Sequence, residues 1–304
     1  MAAAIETSNL TRRFGRTEAV ERLSLEIPER SVFALIGPNG AGKTTTIKVL
    51  LNLLRPTRGS ARILGCDTTA LSVRELQRIG YVSENQRLPG WMTPAQLVAY
   101  CRPLYPTWDE AFARELQTSL GLTARTPIRT LSRGTRMKAA LLLSLAYRPD
   151  LIVLDEPFTG LDPLVRDELI RALLGASADG PVTVLVSSHD IDEVERLADW
   201  IGYIDGGRLV FAEPTASLLS RFRLVEVVSD AAGPVPAGDP RWIVQGVSGR
   251  TLRFVDTAHA DADADLRIAA AFPGAKIRTS PLPLRDIFVT LASRAAAHRI
   301  EEAV

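Results

Sequence analysis

The sequence predicts an α/β fold built on a mainly parallel sheet covered by helices, and three features carry that expectation. SVFALIG is an apolar, partly β-branched run that ends at Gly37; the amphipathic TTTIKVLLNLL follows, giving a strand, a glycine loop and a helix. DLIVLDE, VTVLVSS and WIGYIDG read as buried strands separated by the helical stretches LVRDELIRALLGAS and DIDEVERLA. Such alternation pairs strands in parallel, because each helical crossover returns the chain to the same edge of the sheet. After Pro214 the pattern changes to FRLVEVVSD, RWIVQGV and TLRFVD, runs that alternate in the manner of half-buried strands.

Taken in chain order, AIETSNL and LSLEI come first as half-buried strands, ahead of the glycine loop. From Glu84 to about Arg148 the pattern is largely helical and is punctuated by Pro89, Pro94, Pro103, Pro106 and Pro127, which predicts a helical subdomain over about residues 85–148. In the last part, RWIVQGV and TLRFVD are joined by a Ser248-Gly249 turn, and DADLRIAAAF and LRDIFVTLASRA read as helices around the short strand AKIRTS. The expected division is a core domain over 1–214 and a small α+β accessory domain over 215–304.

With 304 residues, 46% of them hydrophobic, the chain is long enough to bury a real core. Its 36 Lys and Arg against 35 Asp and Glu leave a formal charge of +1, without the basic excess of a dedicated nucleic-acid binder, so no nucleic-acid partner is expected. The longest apolar runs fall short of the ~20 residues that cross a bilayer, and the first residues lack a signal-peptide pattern; the chain is expected in the cytosol. Cys66 and Cys101 are too few for a disulfide framework or a zinc site and are expected as buried thiols.

GPNGAGKT, formed by Gly37, Pro38, Asn39, Gly40, Ala41, Gly42, Lys43 and Thr44, matches G-x-x-x-x-G-K-[ST] and lies between a predicted strand and a predicted helix. Glycines let the backbone curl so that successive N–H groups face phosphate oxygens, and the helix N-terminus adds its positive dipole end. Lys43 can then reach the β- and γ-phosphates, with Thr44 as a Mg²⁺ ligand. LIVLDE ends in Asp155 and Glu156 at the tip of a second buried strand, where ligands collect in an open parallel sheet. Asp155 is expected to hold Mg²⁺ through water and Glu156 to polarise an attacking water as a general base. The guanine-reading pattern N-K-x-D is absent, and Phe14 is either a core aromatic or a platform for adenine.

GPNGAGKTT (37–45), IGYVSEN (79–85), LSRGTR (131–136), LIVLDEP (151–157), TGLD (159–162) and SSHD (187–190) occur in that order over about residues 5–213. Together they resemble the nucleotide-binding subunit of a bacterial ABC transporter, most like the ATPases that serve separate export permeases for drugs, antibiotics or lipids. The resemblance implies a P-loop ATPase core with N-terminal antiparallel strands, and ATP and Mg²⁺ as ligands. It makes Phe14 the adenine-stacking aromatic, Lys43, Thr44 and Thr45 the phosphate and magnesium contacts, and Asp155 the magnesium-side acid. Glu156 becomes the catalytic base, His189 the histidine that contacts the γ-phosphate and the attacking water, and Asp162 the acid that couples two sites. It also implies a homodimer with composite ATP sites, in which Ser132 and Gly134 of one copy face the phosphate loop of the other. Permease subunits encoded separately would place the chain at the inner face of the membrane. Rival readings are a non-transport ATPase of the same superfamily and a regulatory ATP-binding module.

Two departures from the family pattern stand out. Glu84 occupies the usual glutamine position, where a full negative charge would tighten metal contact but repel a γ-phosphate; Gln86 is its competitor for the site, and the alternative for Glu84 is a solvated loop acid. LSRGT replaces the usual L-S-G-G-Q; Ser132 and Gly134 keep a hydroxyl and an open backbone N–H at a helix start, while Arg133 either points away or adds a phosphate contact. His259, Asp261, Asp263 and Asp265 are expected to cap or solvate a helix N-terminus rather than to bind metal.

Overall fold

Three sheets organise the described residues, 2–178, 180, 182–228 and 239–301, in the computed structural model of this chain. The chain divides into two compact units, Met1–Ala212 and Glu213–Val304.

The first unit opens with β1 (Ala3–Phe14) and β2 (Thr17–Pro28), an antiparallel pair, followed by β3 (Val32–Ile36) and α1 (Lys43–Leu50). β4 (Arg58–Ile63) runs antiparallel to β1, and the short β5 (Cys66–Asp67) borders it, completing a sheet of order β2-β1-β4-β5. Only one face of this sheet meets the core, so buried Ile5, Leu10, Leu23 and Ile27 are interspersed with exposed polar residues. After α2 (Val73–Leu76) come β6 (Ile79–Ser83) and three helices, α3 (Pro94–Cys101), α4 (Glu110–Ser119) and α5 (Arg133–Leu145). Each of these three starts where its sequence supplies a cap. Thr93 and Gln96 form a capping box for α3, Asp109 accepts the N–H groups of Ala111 and Phe112 for α4, and Ser132 caps α5.

The central sheet is completed by β7 (Leu151–Asp155), α6 (Pro163–Ala178), β8 (Thr183–Ser188), α7 (Ile191–Glu195), β9 (Trp200–Asp205) and β10 (Arg208–Pro214). Its order is β10-β9-β3-β8-β7-β6, and β9, β3, β8, β7 and β6 pair in parallel. Every residue of β3, β7 and β8 is buried, as expected of strands covered on both faces. The register sets Ile36 beside Ser188, Ser187 beside Asp155 and Asp155 beside Ser83. The loops after β3, β6, β7 and β8 therefore leave one edge of the sheet together. DIDEVERLA forms a shorter helix than its pattern predicts, only Ile191–Glu195. Cys66 and Cys101 are free and half-buried rather than fully buried.

In the second unit, α8 (Thr215–Arg221) leads into β11 (Arg223–Val228), β12 (Trp242–Ser248), β13 (Thr251–Asp256), α9 (Ala264–Ala271), β14 (Lys276–Pro281) and α10 (Leu284–Glu301). The strands form one antiparallel sheet of order β12-β13-β11-β14. Val225, Val227, Leu252, Phe254 and Ile268 make its core, and the Trp242 ring packs 4.8 Å from Phe254 and 5.7 Å from Phe272. Ser248 pairs with Thr251, so the hairpin loop is Gly249-Arg250, one residue later than expected, with Gly249 at φ 58°. Ser229 and Asp230, the end of the first predicted strand, lie outside the described residues.

Two of the acids near His259 stand at the start of α9 as expected, with Asp263 at the N-cap, without a side-chain cap hydrogen bond, and Asp265 in the first turn. The group also surrounds a guanidinium. The cluster is built on Arg267, whose guanidinium meets the buried Asp256 at 3.3 Å, Asp263 at 3.1 Å, Asp239 at 3.5 Å and Asp261 at 3.8 Å. His259 Nδ1 lies 3.3 Å from Asp256 Oδ2. A largely buried guanidinium needs compensating carboxylates, and these supply them.

Candidate active site

The phosphate loop starts where β3 ends, and two of its glycines, Gly37 and Gly42, are required by space. A Cβ on Gly37 would lie 2.1 Å from the Ile204 carbonyl oxygen. Gly42 has φ 106°, and its Cβ would lie 2.4 Å from the Ala19 carbonyl oxygen. Pro38, Asn39 and Gly40 are exposed, while Ala41 is buried, with its N–H bonded to Pro38 and its carbonyl to the Gly207 N–H. Lys43, the first residue of α1, is 5% exposed; its Nζ donates to the carbonyls of Gly37 at 2.6 Å and Pro38 at 3.2 Å and lies 3.1 Å from Glu156 Oε1. An ammonium is thus held inside the curl of the loop. Thr45 is half-buried beside it.

Thr44 Oγ1 donates to Asp155 Oδ1 at 3.0 Å, and Ser187 Oγ donates to the same oxygen at 2.8 Å. The Glu156 N–H in turn donates to Ser187 Oγ at 3.0 Å. Burial pushes the Asp155 carboxyl above the ordinary aspartate value, and the two hydroxyls counter only part of that. Glu156 adopts φ 51°, a left-handed backbone that strains a non-glycine residue by about 1–3 kcal/mol. Its Oε2 accepts the Thr159 hydroxyl at 3.0 Å and meets His189 Nδ1 at 2.7 Å. Burial pushes the Glu156 carboxyl up, but the His189 hydrogen bond and the Lys43 ammonium outweigh it, and the carboxyl ends below its ordinary value. An ionised Glu156 only accepts, so His189 Nδ1 must carry the proton in that bond, which leaves Nε2 for another partner.

Lys43, Thr44, Asp155, Glu156 and His189 are therefore brought together from the ends of three neighbouring parallel strands. The remaining expected residues lie elsewhere. Phe14 is 45% exposed at the end of β1, with the Arg12 guanidinium 4.5 Å from its ring centroid. Asp162 Oδ1 accepts the Val165 N–H at 3.0 Å at the start of α6. Ser132 Oγ accepts the Thr135 N–H at 3.1 Å, and a Cβ on Gly134 would come 2.9 Å from Val165 Cγ1, so this glycine lets α5 approach α6. Glu84 and Gln86 depart from expectation. Glu84 turns to Arg133, Oε1 to NH2 3.6 Å, and the Gln86 amide oxygen folds back on Ser83, accepting its N–H and hydroxyl at 3.2 Å. A cation at hand draws Glu84, and an open local donor pair draws Gln86.

Ser187 and Thr159 fall within the SSHD and TGLD stretches, but motif reading gives neither a role, and the structure sets both against the Asp155 and Glu156 pair. Ser187 is signalled only by a hydroxyl at the end of a strand that pairs with the acid-bearing strand. Thr159 is signalled by its position three residues after Glu156. Among the described residues no group of three or more His, Cys, Asp or Glu side chains is arranged to hold a metal. The pair that remains, the Thr44 hydroxyl and the Asp155 carboxylate, suits Mg²⁺, a hard cation that keeps several waters and takes its other oxygens from substrate phosphates.

Comparison with known proteins places this chain in a family. Residues 20–159 match the ABC transporter family model. The chain is 39% identical to the daunorubicin/doxorubicin resistance ATP-binding protein of Streptomyces peucetius, over 71% of this chain and 67% of that protein. It is 30% identical to the bacitracin transport ATP-binding protein of Bacillus licheniformis, over 73% of this chain and 74% of the relative. A lantibiotic transport ATP-binding protein of Streptococcus pyogenes is 32% identical over 68% of this chain and 89% of its own length. Among solved structures, the ATP-binding subunit of an ABC transporter superposes with a TM-score of 0.64 at 25% identity, over 71% of this chain and 91% of the other. With a phosphate loop, a paired Asp155 and Glu156 and a histidine converging on one sheet edge, the chain belongs to the ABC transporter family, as an ATP-binding subunit and an ATPase.

Proposed function

We propose that this chain powers export across the cytoplasmic membrane, working as a pair of copies bound to separately encoded permease subunits. The observation that carries the reading is the contact of Glu156 with both Lys43 and His189, which joins a phosphate-binding cation, a base and a proton-bearing imidazole in one group. The relatives named for drug resistance, bacitracin and lantibiotics support the export assignment. Among the described residues no helix is long and apolar enough to cross a membrane.

Chemically, the phosphate loop would orient ATP by its N–H groups, and Lys43 would offset charge on the β- and γ-phosphates. Thr44 and, through water, Asp155 would hold Mg²⁺, which neutralises phosphate charge when bound. Glu156 accepts a proton from the attacking water, and His189, hydrogen-bonded to it, keeps the carboxylate oriented. Ser132 and Gly134 of the second copy complete the site from across the dimer, so two copies close only while ATP lies between them. Glu156→Gln should retain ATP binding, promote an ATP-dependent dimer and lower steady-state phosphate release by ~10²–10⁴-fold. Near-normal turnover in that variant would remove Glu156 from the role of base.

A further inference from the structure

Arg133 is the first residue of α5, directly after the capping Ser132, and its guanidinium reaches two loops of its own chain. NH2 lies 3.6 Å from Glu84 Oε1, in the loop that follows β6. The same guanidinium lies against Gly160, where a Cβ would come 3.3 Å from NH1 and 3.5 Å from Cζ. Gly160, at φ 69°, stands between Thr159, which bonds the Glu156 carboxylate, and Asp162, which caps α6. Arg133 therefore connects the start of the serine helix to the loop after β6 and to the loop that carries Glu156.

The choice of partners has a physical basis. Arg87, Arg129, Arg133 and Arg136 border one cleft of about 520 Å³, and Glu84 is the acid that faces them. Arg136 donates to the Leu131 carbonyl at 3.1 Å and so supports the chain just before the helix. Arg133 is placed to take the carboxylate. A glutamine at position 84 would offer no charge to it, and a glycine at position 133 would offer no cation to Glu84. The two departures from the family pattern are thus complementary in this chain.

We propose that Arg133 and Glu84 are positioning residues that form a latch within one copy, fixing the opening of α5 on its own nucleotide-site loops. The latch presents Ser132 and Gly134 to the nucleotide held by a second copy. It rests on the shared-site reading given under Proposed function. Neither side chain is then assigned a direct contact with phosphate or metal. Because both are about two-fifths exposed, the effect of the pair is modest for each copy and counts twice in a dimer.

The test uses the full chain carrying Glu156→Gln and light scattering to find the ATP concentration for half-maximal dimer formation. Arg133→Ala and Glu84→Ala should each raise that concentration about 3- to 10-fold, and the double variant should raise it no further than either alone. The exchange Glu84→Arg with Arg133→Glu should regain most of the loss, while the thermal midpoint and the Mg²⁺ concentration required stay unchanged. Additive effects, no effect, or a raised Mg²⁺ requirement in Glu84→Ala would overturn the latch and return each residue to a separate role. A Glu156→Gln chain that binds ATP but does not dimerise with it would instead overturn the shared-site reading, and the latch with it.

Discussion

Ser187 shows how much one hydroxyl carries: it donates to Asp155 and accepts from the Glu156 backbone, so two neighbouring acids depend on it. Ser187→Ala would leave a buried N–H unpaired and Asp155 with one donor fewer, at about 1–3 kcal/mol of stability. A urea unfolding midpoint that falls accordingly, with reduced ATPase activity, checks this. Glu156 makes a pH prediction. Its carboxyl lies below the ordinary 4.5, so its charged interactions favour the folded state above that value and are lost as pH falls through the lower folded value. The base is therefore already ionised at neutral pH, and the kcat profile should show its acid limb below about pH 4.5. An acid limb near neutrality that traces to Glu156 would contradict the geometry. Motif reading includes Ser187 in SSHD but gives it no role, because that role depends on β7 and β8 being in-register neighbours.

At the scale of elements, what is local in sequence is legible and what is a pairing across the chain is not. The phosphate loop, the acids ending β7 and the capped start of α5 are each dictated by residues within a few positions of one another, and the structure forms them where the pattern puts them. The partner of Arg133 is set by Glu84, far from it in sequence, and the hairpin loop at Gly249-Arg250 by the register of β12 against β13. The loop into α1 also has a spatial requirement that motif spacing alone does not explain. Gly42 passes the Ala19 carbonyl with a left-handed backbone, so Gly42→Ala should fail twice, by collision and by strain. A lower thermal midpoint together with lost ATP binding, measured by calorimetry, is the expected result; a loop that binds ATP normally with alanine there would contradict it.

At the scale of the whole molecule, the two units have separate cores, and the proposed ATPase residues named above lie in the first. In the second, Asp239 makes stability depend on pH at the acid end. The Arg241 guanidinium beside it holds that carboxyl down at about 2, below the ordinary 3.8. That contribution to stability is present above the ordinary value and lost as pH falls towards the lower one, so Asp239→Asn should flatten the acid limb of unfolding followed by tryptophan fluorescence. An unchanged acid limb would show that the pair is decoupled from folding. The claim that reaches furthest is that each ATP lies between two copies, gripped by Lys43 of one and Ser132 of the other. It is tested most directly by mixing Lys43→Ala and Ser132→Ala chains and measuring phosphate release. Each alone should be nearly inactive, and random pairing of the mixture should restore about a quarter of wild-type turnover, since half the dimers then hold one intact site. A mixture no more active than the average of its two components would contradict the shared site.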